Sequence, residues 1–314
     1  MDPLIILVGP TAVGKSALGI ELALKINGEI ISGDSVQIYR HLNIGSAKPS
    51  DKELKTVPHH LIDQLDPDQP FSAAQFQKQA RILIGEIRNR GRIPIVLGGT
   101  GLYIRALLDP YDFSALGSEV IKAKWTDYWQ RHGSASLHAC LAEVDPQSAG
   151  RLHPNDWVRI VRALEIYELT GVPASEQQTY SHTQYMPLSP EIIYIGLTAP
   201  REVLYERINR RCQDMIGAGL IEETSHILNR GYDRKLKPLQ SIGYRHVVWY
   251  LQGLITEQEM LRLLQRDTRH FAKRQLTWFR RDPRITWYDT NTLSGDEIIS
   301  AISHTCRALQ TRVE

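Results

Sequence analysis

The sequence predicts an α/β protein, a parallel sheet core interrupted by an all-helical insertion. Three observations carry that expectation. Short, continuously apolar runs recur and end in glycine, as strands buried on both faces do. Amphipathic helical stretches lie between those runs. From about Pro110 to about Pro190 strands give way to helical patterns alone.

Leu4 to Val8 is the first such run, and it enters Gly9. Gly14 to Ile26 follows with helical spacing at Leu18, Leu22, Leu24 and Ile26. Glu29 to Ser32 reads as a second strand, running into Gly33-Asp34-Ser35. Ser72 to Arg90 reads as a helix with Ser72 as its N-cap and Phe76, Ile82, Leu83 and Ile87 as its apolar positions. Ile93 to Leu97 is a third strand, closed by Gly98-Gly99-Thr100-Gly101. Within the insertion, Trp125 to His132, Ala135 to Val144 and Val158 to Thr170 are helices. Gly133, Asp145-Pro146 and His153-Pro154-Asn155-Asp156 read as the breaks between them. Glu191 to Leu197 restores the sheet. A basic helix from about Arg201 to Ile216 follows, then further helices to about Phe279 and a last short strand at Ile285 to Tyr288. The expected domains are 1–114 and 188–314 for the core and 115–187 for the insertion.

Composition narrows the function. No apolar run approaches the ~18 residues of a membrane span. The start of the chain has neither a basic leader nor a signal-peptide core, so a cytoplasmic protein is expected. Cys140, Cys212 and Cys306 lie far apart, which excludes a zinc ribbon or a disulfide framework. The net charge of +2 implies no partner, but its distribution is uneven. Residues 201–290 hold 17 Lys and Arg against 11 Asp and Glu. From Arg266 to Arg284 basic residues, Lys273, Arg274 and Arg280 among them, interleave with Phe271, Trp278 and Phe279. That mixture suits unstacked single-stranded RNA, and it equally suits an amphipathic helix with the aromatics in the core.

Gly9-Pro10-Thr11-Ala12-Val13-Gly14-Lys15-Ser16 fits G-x-x-x-x-G-K-[ST] between a strand and a helix, the pattern of nucleotide-binding and ATP-binding P-loop proteins. The core is therefore P-loop NTPase-like. Backbone N–H groups and the helix N-terminus would cradle a di- or triphosphate, Lys15 would neutralise it, and Ser16 would ligate Mg²⁺. Ligand groups in such sheets come from the carboxyl ends of strands. Asp34 and Thr100 stand at two of them. Asp34 could act as a general base, hold a metal's water shell, or cap a turn.

Ten segments in order resemble the bacterial tRNA dimethylallyltransferase (IPP transferase) family. Beside the phosphate loop they are Asp34 to Tyr39, Ile44 to Pro49, His59 to Asp63, Gly98 to Tyr103, His153 to Asp156, Arg159 to Glu165, Thr170 to Pro173, Ser241 to Tyr244 and Lys273 to Arg280. The resemblance implies transfer of a dimethylallyl group from dimethylallyl diphosphate to N6 of the adenine 3′ of the tRNA anticodon. A diphosphate rather than ATP then occupies the phosphate loop, with Mg²⁺ as cofactor. By resemblance Asp34 is the catalytic base, Thr100 steadies the target, and Arg211 holds the diphosphate, with Arg207 and Arg210 one turn away. The tRNA-binding residues it implies are Asp34, Ser35, Val36, Gln37, Thr100, Lys122, Val158, Arg159, Ile160, Val161 and Arg162. Lys122 stands where the family carries arginine, and Ser46 where threonine is usual. The expected partners are a tRNA anticodon stem-loop and dimethylallyl diphosphate, with no membrane, and the chain is expected to be a monomer. Three rivals are a small-molecule P-loop kinase, a prenyltransferase acting on free adenine nucleotides, and a nucleotide-dependent RNA-binding switch. The first two leave the insertion and the basic C-terminal part without a task. The third needs a Walker-B strand that Asp34 does not follow.

Overall fold

The computed structural model describes residues 3–109, 117–176 and 191–310. The boundaries expected near 115 and 187 fall outside them. The chain divides into two compact units, one of Met1–Arg105 with Leu188–Glu314, the other of Ala106–Pro187.

The first unit is built on six parallel strands: β1 (Leu4–Val8), β2 (Gly28–Ser32), β3 (His59–His60), β4 (Ile93–Leu97), β5 (Ile192–Thr198) and β6 (Thr286–Asp289), in the order β3-β2-β4-β1-β5-β6. β1 lies between β4 and β5, with Ile5 opposite Ile95 and Leu7 opposite Ile195. All five of its residues are fully buried, as a central strand covered on both faces requires. Each apolar side chain so buried is worth about 1.5–3 kcal/mol. Helices α1 (Lys15–Ile26), α2 (Asp51–Thr56), α3 (Ala73–Asn89) and α4 (Gly101–Leu108) belong to the first half of the chain. The Ser72 hydroxyl caps α3 by accepting from Gln75 N at 3.2 Å.

Two side chains depart from the expected stripes. Leu24 in α1 and Ile82 in α3 are 57% and 52% exposed. The face of α3 that packs inward runs Phe76, Ala80, Ile84, Ile87, a 3.6-residue spacing that leaves Ile82 on the opposite side.

In the second unit α5 (Glu119–Val144) is one helix broken at Gly133 (φ 79°), followed by α6 (Pro146–Arg151) and α7 (Trp157–Thr170). α6 occupies a stretch expected as a break. Pro146 starts the helix, and Asp145 caps it by accepting from Ser148 N at 2.9 Å. Leu137, Leu141, Ile160, Val161 and Leu164 form this unit's own core.

Beyond β5 come α8 (Arg201–Gly217), α9 (Leu220–Asn229), α10 (Tyr244–Leu251), α11 (Glu257–Phe279) and, after β6, α12 (Gly295–Gln310). The sequence reading did not foresee α12. It lays Ile298, Ile299 and Ile302 into the sheet's core cluster.

Candidate functional site

The carboxyl ends of β1, β2 and β4 converge. Gly33 N donates to Leu97 O at 2.7 Å, and Thr100 N to Gly33 O at 3.3 Å. Gly98 is required here. A Cβ on it would stand 2.4 Å from the Gly33 carbonyl carbon and oxygen. This contact brings Asp34 and Thr100 to the phosphate loop. The Thr100 hydroxyl accepts from Ser35 N at 3.1 Å, and Asp34 Oδ1 accepts from Val36 N at 2.8 Å.

The loop between β1 and α1 turns through Ala12 (φ 64°) and Gly14 (φ 100°). Lys15 Nζ folds back to donate to Pro10 O at 2.7 Å. Val13 anchors the loop in the core, while Ser16 is exposed in the first turn of α1.

Two cavities meet at this point. The first, about 340 Å³, is lined by Thr11, Gly14, Lys15, Ser16, Asp34 and Arg211 with others. The second, about 320 Å³, is lined by Ser35, Val36, Thr100, Arg245, Phe271 and Arg274 with others. Thr11, Asp34, Ser46, Arg211 and Phe271 line both. A third recess of about 440 Å³ adjoins them at Ala47 and Arg211.

The electrostatics are unusual for so small a space. Burial, and then the charge of Arg211, bring the Lys15 ammonium down to about 7, with Asp34 opposing. Burial pushes the Asp34 carboxyl up, against the Val36 and Gln37 amides and the charges of Lys15 and Arg211. Burial likewise lowers Arg211. Lys15, Arg211 and one carboxylate thus face a common space, where a bound polyanion would favour the charged form of both basic groups.

Of Arg207, Arg210 and Arg211 on α8, Arg211 lines both cavities and Arg207 the first, while Arg210 is exposed on the helix. Gln37 has its side chain engaged within the protein. Its Nε2 donates to Ser46 O (3.2 Å) and Ala47 O (3.1 Å), and its Oε1 accepts from Ser32 Oγ at 2.8 Å. Gln37 thus shapes the wall of the first cavity.

On α11, Arg274 lines the second cavity, and Lys273 and Arg280 are exposed. The three aromatics grouped in the sequence separate, and Phe279 is buried in the core. Phe271 faces both cavities, and Trp278 packs against Gly101, where a Cβ would meet its ring at 2.3 Å. Gln275, which the motifs gave no role, bridges the site's two turns. Its Oε1 accepts from Thr11 N at 2.8 Å and its Nε2 donates to Gly99 O at 3.0 Å. A polar residue on the buried stripe Thr268, Ala272, Gln275, Phe279 was the signal for it.

In the second unit the expected Val158 to Arg162 contact segment divides between two faces of α7. Ile160 and Val161 are buried in that unit's core and offer no side chain to a ligand. Val158 and Arg159 are exposed, and Arg162 pairs with Glu165 at 2.7 Å. Lys122 is exposed and pairs with Glu119 at 3.3 Å.

Among the described residues no group of three or more His, Cys, Asp or Glu could hold a metal ion. The oxygens lining the first cavity include the Ser16 hydroxyl and the Asp34 carboxylate, both hard donors. Such a set fits Mg²⁺, which takes one or two protein oxygens and completes its shell with water and phosphate. Among the described residues no helix is long and apolar enough to cross a membrane.

The chain is similar to known proteins. A family model described as IPP transferase matches residues 37–282. A tRNA dimethylallyltransferase of Desulfitobacterium hafniense is 59% identical over 314 residues, the whole of both chains. One of Carboxydothermus hydrogenoformans is 52% identical over 305 residues, covering 96% of each. The crystal structure of the full-length tRNA isopentenylpyrophosphate transferase from Bacillus halodurans is 40% identical, with a TM-score of 0.73 over 99% of each chain. A eukaryotic dimethylallyltransferase acting on tRNA is 28% identical, with a TM-score of 0.80 over 95% of this chain and 78% of that one. By sequence and by fold, the chain belongs to the IPP transferase family.

Proposed function

We propose that the protein transfers a dimethylallyl group from dimethylallyl diphosphate to N6 of the adenine 3′ of the anticodon in tRNA, releasing diphosphate. The observation that carries this reading is the meeting of Lys15, Asp34 and Arg211 at the junction of two cavities. The diphosphate lies in the first cavity against the phosphate loop, Lys15 and Arg211. The extruded adenine enters the second, past Ser35, Val36 and Thr100.

The N6 lone pair is delocalised into the ring, so N6 is a weak nucleophile. Asp34, made more basic by burial, accepts a hydrogen bond from N6 and takes its proton as the N–C bond forms. The allylic C–O bond breaks, and its electron pair leaves with the diphosphate. Lys15 and Arg211 stabilise the charge that develops there. Ser16 would hold Mg²⁺ together with the diphosphate oxygens, and the ion would supply further positive charge to the leaving group. Thr100 steadies Asp34's neighbour Ser35 through its hydroxyl. Exposed Lys122, Val158 and Arg159 and half-buried Arg162, with Lys273, Arg274 and Arg280, contact the stem-loop. The protein works as a monomer in the cytoplasm, where its tRNA substrate is.

Labelled dimethylallyl diphosphate, offered with an anticodon stem-loop or with AMP, tests the reading. Label on the stem-loop alone is expected. Label on AMP, or ATP hydrolysis in place of transfer, would overturn it.

A further inference from the structure

Glu223 on α9 and Tyr244 at the start of α10 have no part in the reaction above, yet both close on the segment that borders every cavity of the site. Asn43 and Ile44 line the third recess, Gly45 the second cavity, Ser46 both principal cavities, and Ala47 the first cavity and the third recess. Three consecutive amides of this segment point to one carboxylate. Glu223 Oε2 accepts from Asn43 N at 3.0 Å and from Ile44 N at 2.9 Å, and Glu223 Oε1 accepts from Gly45 N at 3.4 Å. Tyr244 OH donates to Glu223 Oε1 at 2.6 Å and accepts from Gly45 N at 3.1 Å.

The fit is close. Tyr244 is fully buried, and a Cβ on Gly45 would stand 2.5 Å from Tyr244 Cε2. Successive backbone N–H groups form a concavity that favours an anion, and here a side chain of the same protein fills it. Beside this clamp in sequence, Gln37 Nε2 donates to the carbonyls of Ser46 and Ala47. The segment is thus held both by its amides and by its carbonyls.

We propose that Glu223, with Tyr244, is a positioning residue for prenyl transfer, fixing Asn43 to Ala47 as the common wall of the donor and acceptor cavities and keeping water from the allylic carbon. This rests on the function proposed above. A slack wall misplaces donor against acceptor. It also admits water, which can attack the same carbon. The C–O bond then breaks with its electrons going to diphosphate, and the products are dimethylallyl alcohol, diphosphate and a proton.

The test compares Glu223→Gln, Tyr244→Phe and the exposed neighbour Glu222→Gln with the parent. It reads thermal midpoint, amide exchange at Ile44 and Gly45, kcat and KM for stem-loop prenylation, and the share of dimethylallyl alcohol. Misplacement on the order of 1 Å costs up to about 100-fold in rate. Glu223→Gln and Tyr244→Phe are therefore expected to lower kcat by about 10- to 100-fold. KM for the stem-loop should stay near the parental value, Ile44 and Gly45 should exchange faster, and the alcohol share should rise. Glu222→Gln should match the parent. If Glu223→Gln does not fold, Tyr244→Phe, which lacks one oxygen, decides the matter. Parental kcat and alcohol share in the folded variants would overturn the proposal. So would a loss of kcat that tracks the thermal midpoint with the alcohol share unchanged. If the parent prenylates no stem-loop, the functional reading fails, and the exchange of Ile44 and Gly45 still judges the clamp: unchanged exchange would refute it.

Discussion

Lys15 and Asp34 share one cavity and are shifted in opposite directions by the same cause, burial, which disfavours charge on each. Near neutral pH the Lys15 amine of the empty protein is therefore partly neutral, and a bound diphosphate would restore its charge. Above about pH 7, dimethylallyl diphosphate should bind with proton uptake at Lys15, growing with pH as the lowered ammonium pKa leaves more of the amine neutral. Calorimetry in buffers of different ionisation enthalpy would read this uptake, and Lys15→Met should abolish it. Folding carries the opposite sign. A lysine whose folded pKa lies below its unfolded value destabilises the fold while it is protonated. That penalty is complete below about 7 and fades as the pH rises towards 10.5. Lys15→Met should consequently raise the thermal midpoint most at and below pH 7 while it removes transfer. Ser16 tests the metal. EDTA should stop transfer, and Ser16→Ala should raise the Mg²⁺ concentration needed for half-maximal rate. Full activity in EDTA would contradict the assignment.

At the scale of elements, α11 is the strut that keeps the phosphate loop and the β4 turn in register, through Gln275. Gln275→Leu keeps the side chain's approximate bulk and leaves Thr11 N and Gly99 O without their partner. An unsatisfied buried polar group costs about 1–3 kcal/mol. Urea unfolding should show a loss of that order, accompanied by a higher KM for dimethylallyl diphosphate. Unchanged stability and KM would show that the bridge is idle. The phosphate loop is legible in the sequence because its glycine spacing, its strand and its helix are all local. Gln275 is not, since 264 residues separate it from Thr11 and only tertiary folding joins them. The two-residue strand β3 is too short to carry a period, and α6 hides behind the proline that starts it. The resemblance marked Val158 to Arg162 as one segment. Helical periodicity divides it into a buried face, Ile160 and Val161, and an exposed one.

At the scale of the whole molecule, the division into two compact units, each with its own buried cluster, suggests a division of labour. Replacing residues 115–187 by a short linker should leave dimethylallyl diphosphate binding within a few-fold of the parent and abolish tight stem-loop binding. Parental RNA affinity in that protein would contradict the role given to the insertion. Prenyl transfer as proposed turns on one carboxylate, Asp34, at the junction of two cavities. Its most direct test is a single-turnover reaction on full-length tRNA with the parent and with Asp34→Asn, followed by digestion and mass spectrometry of the nucleosides. The account expects one dimethylallyl group per tRNA, on N6 of the adenosine 3′ of the anticodon. It expects Asp34→Asn to be slower by about 10²–10⁴-fold, the span of a positioned general base, with tRNA affinity changed by less than about tenfold. An Asn variant that transfers at close to the parental rate, or a modification on any other nucleoside, would contradict it.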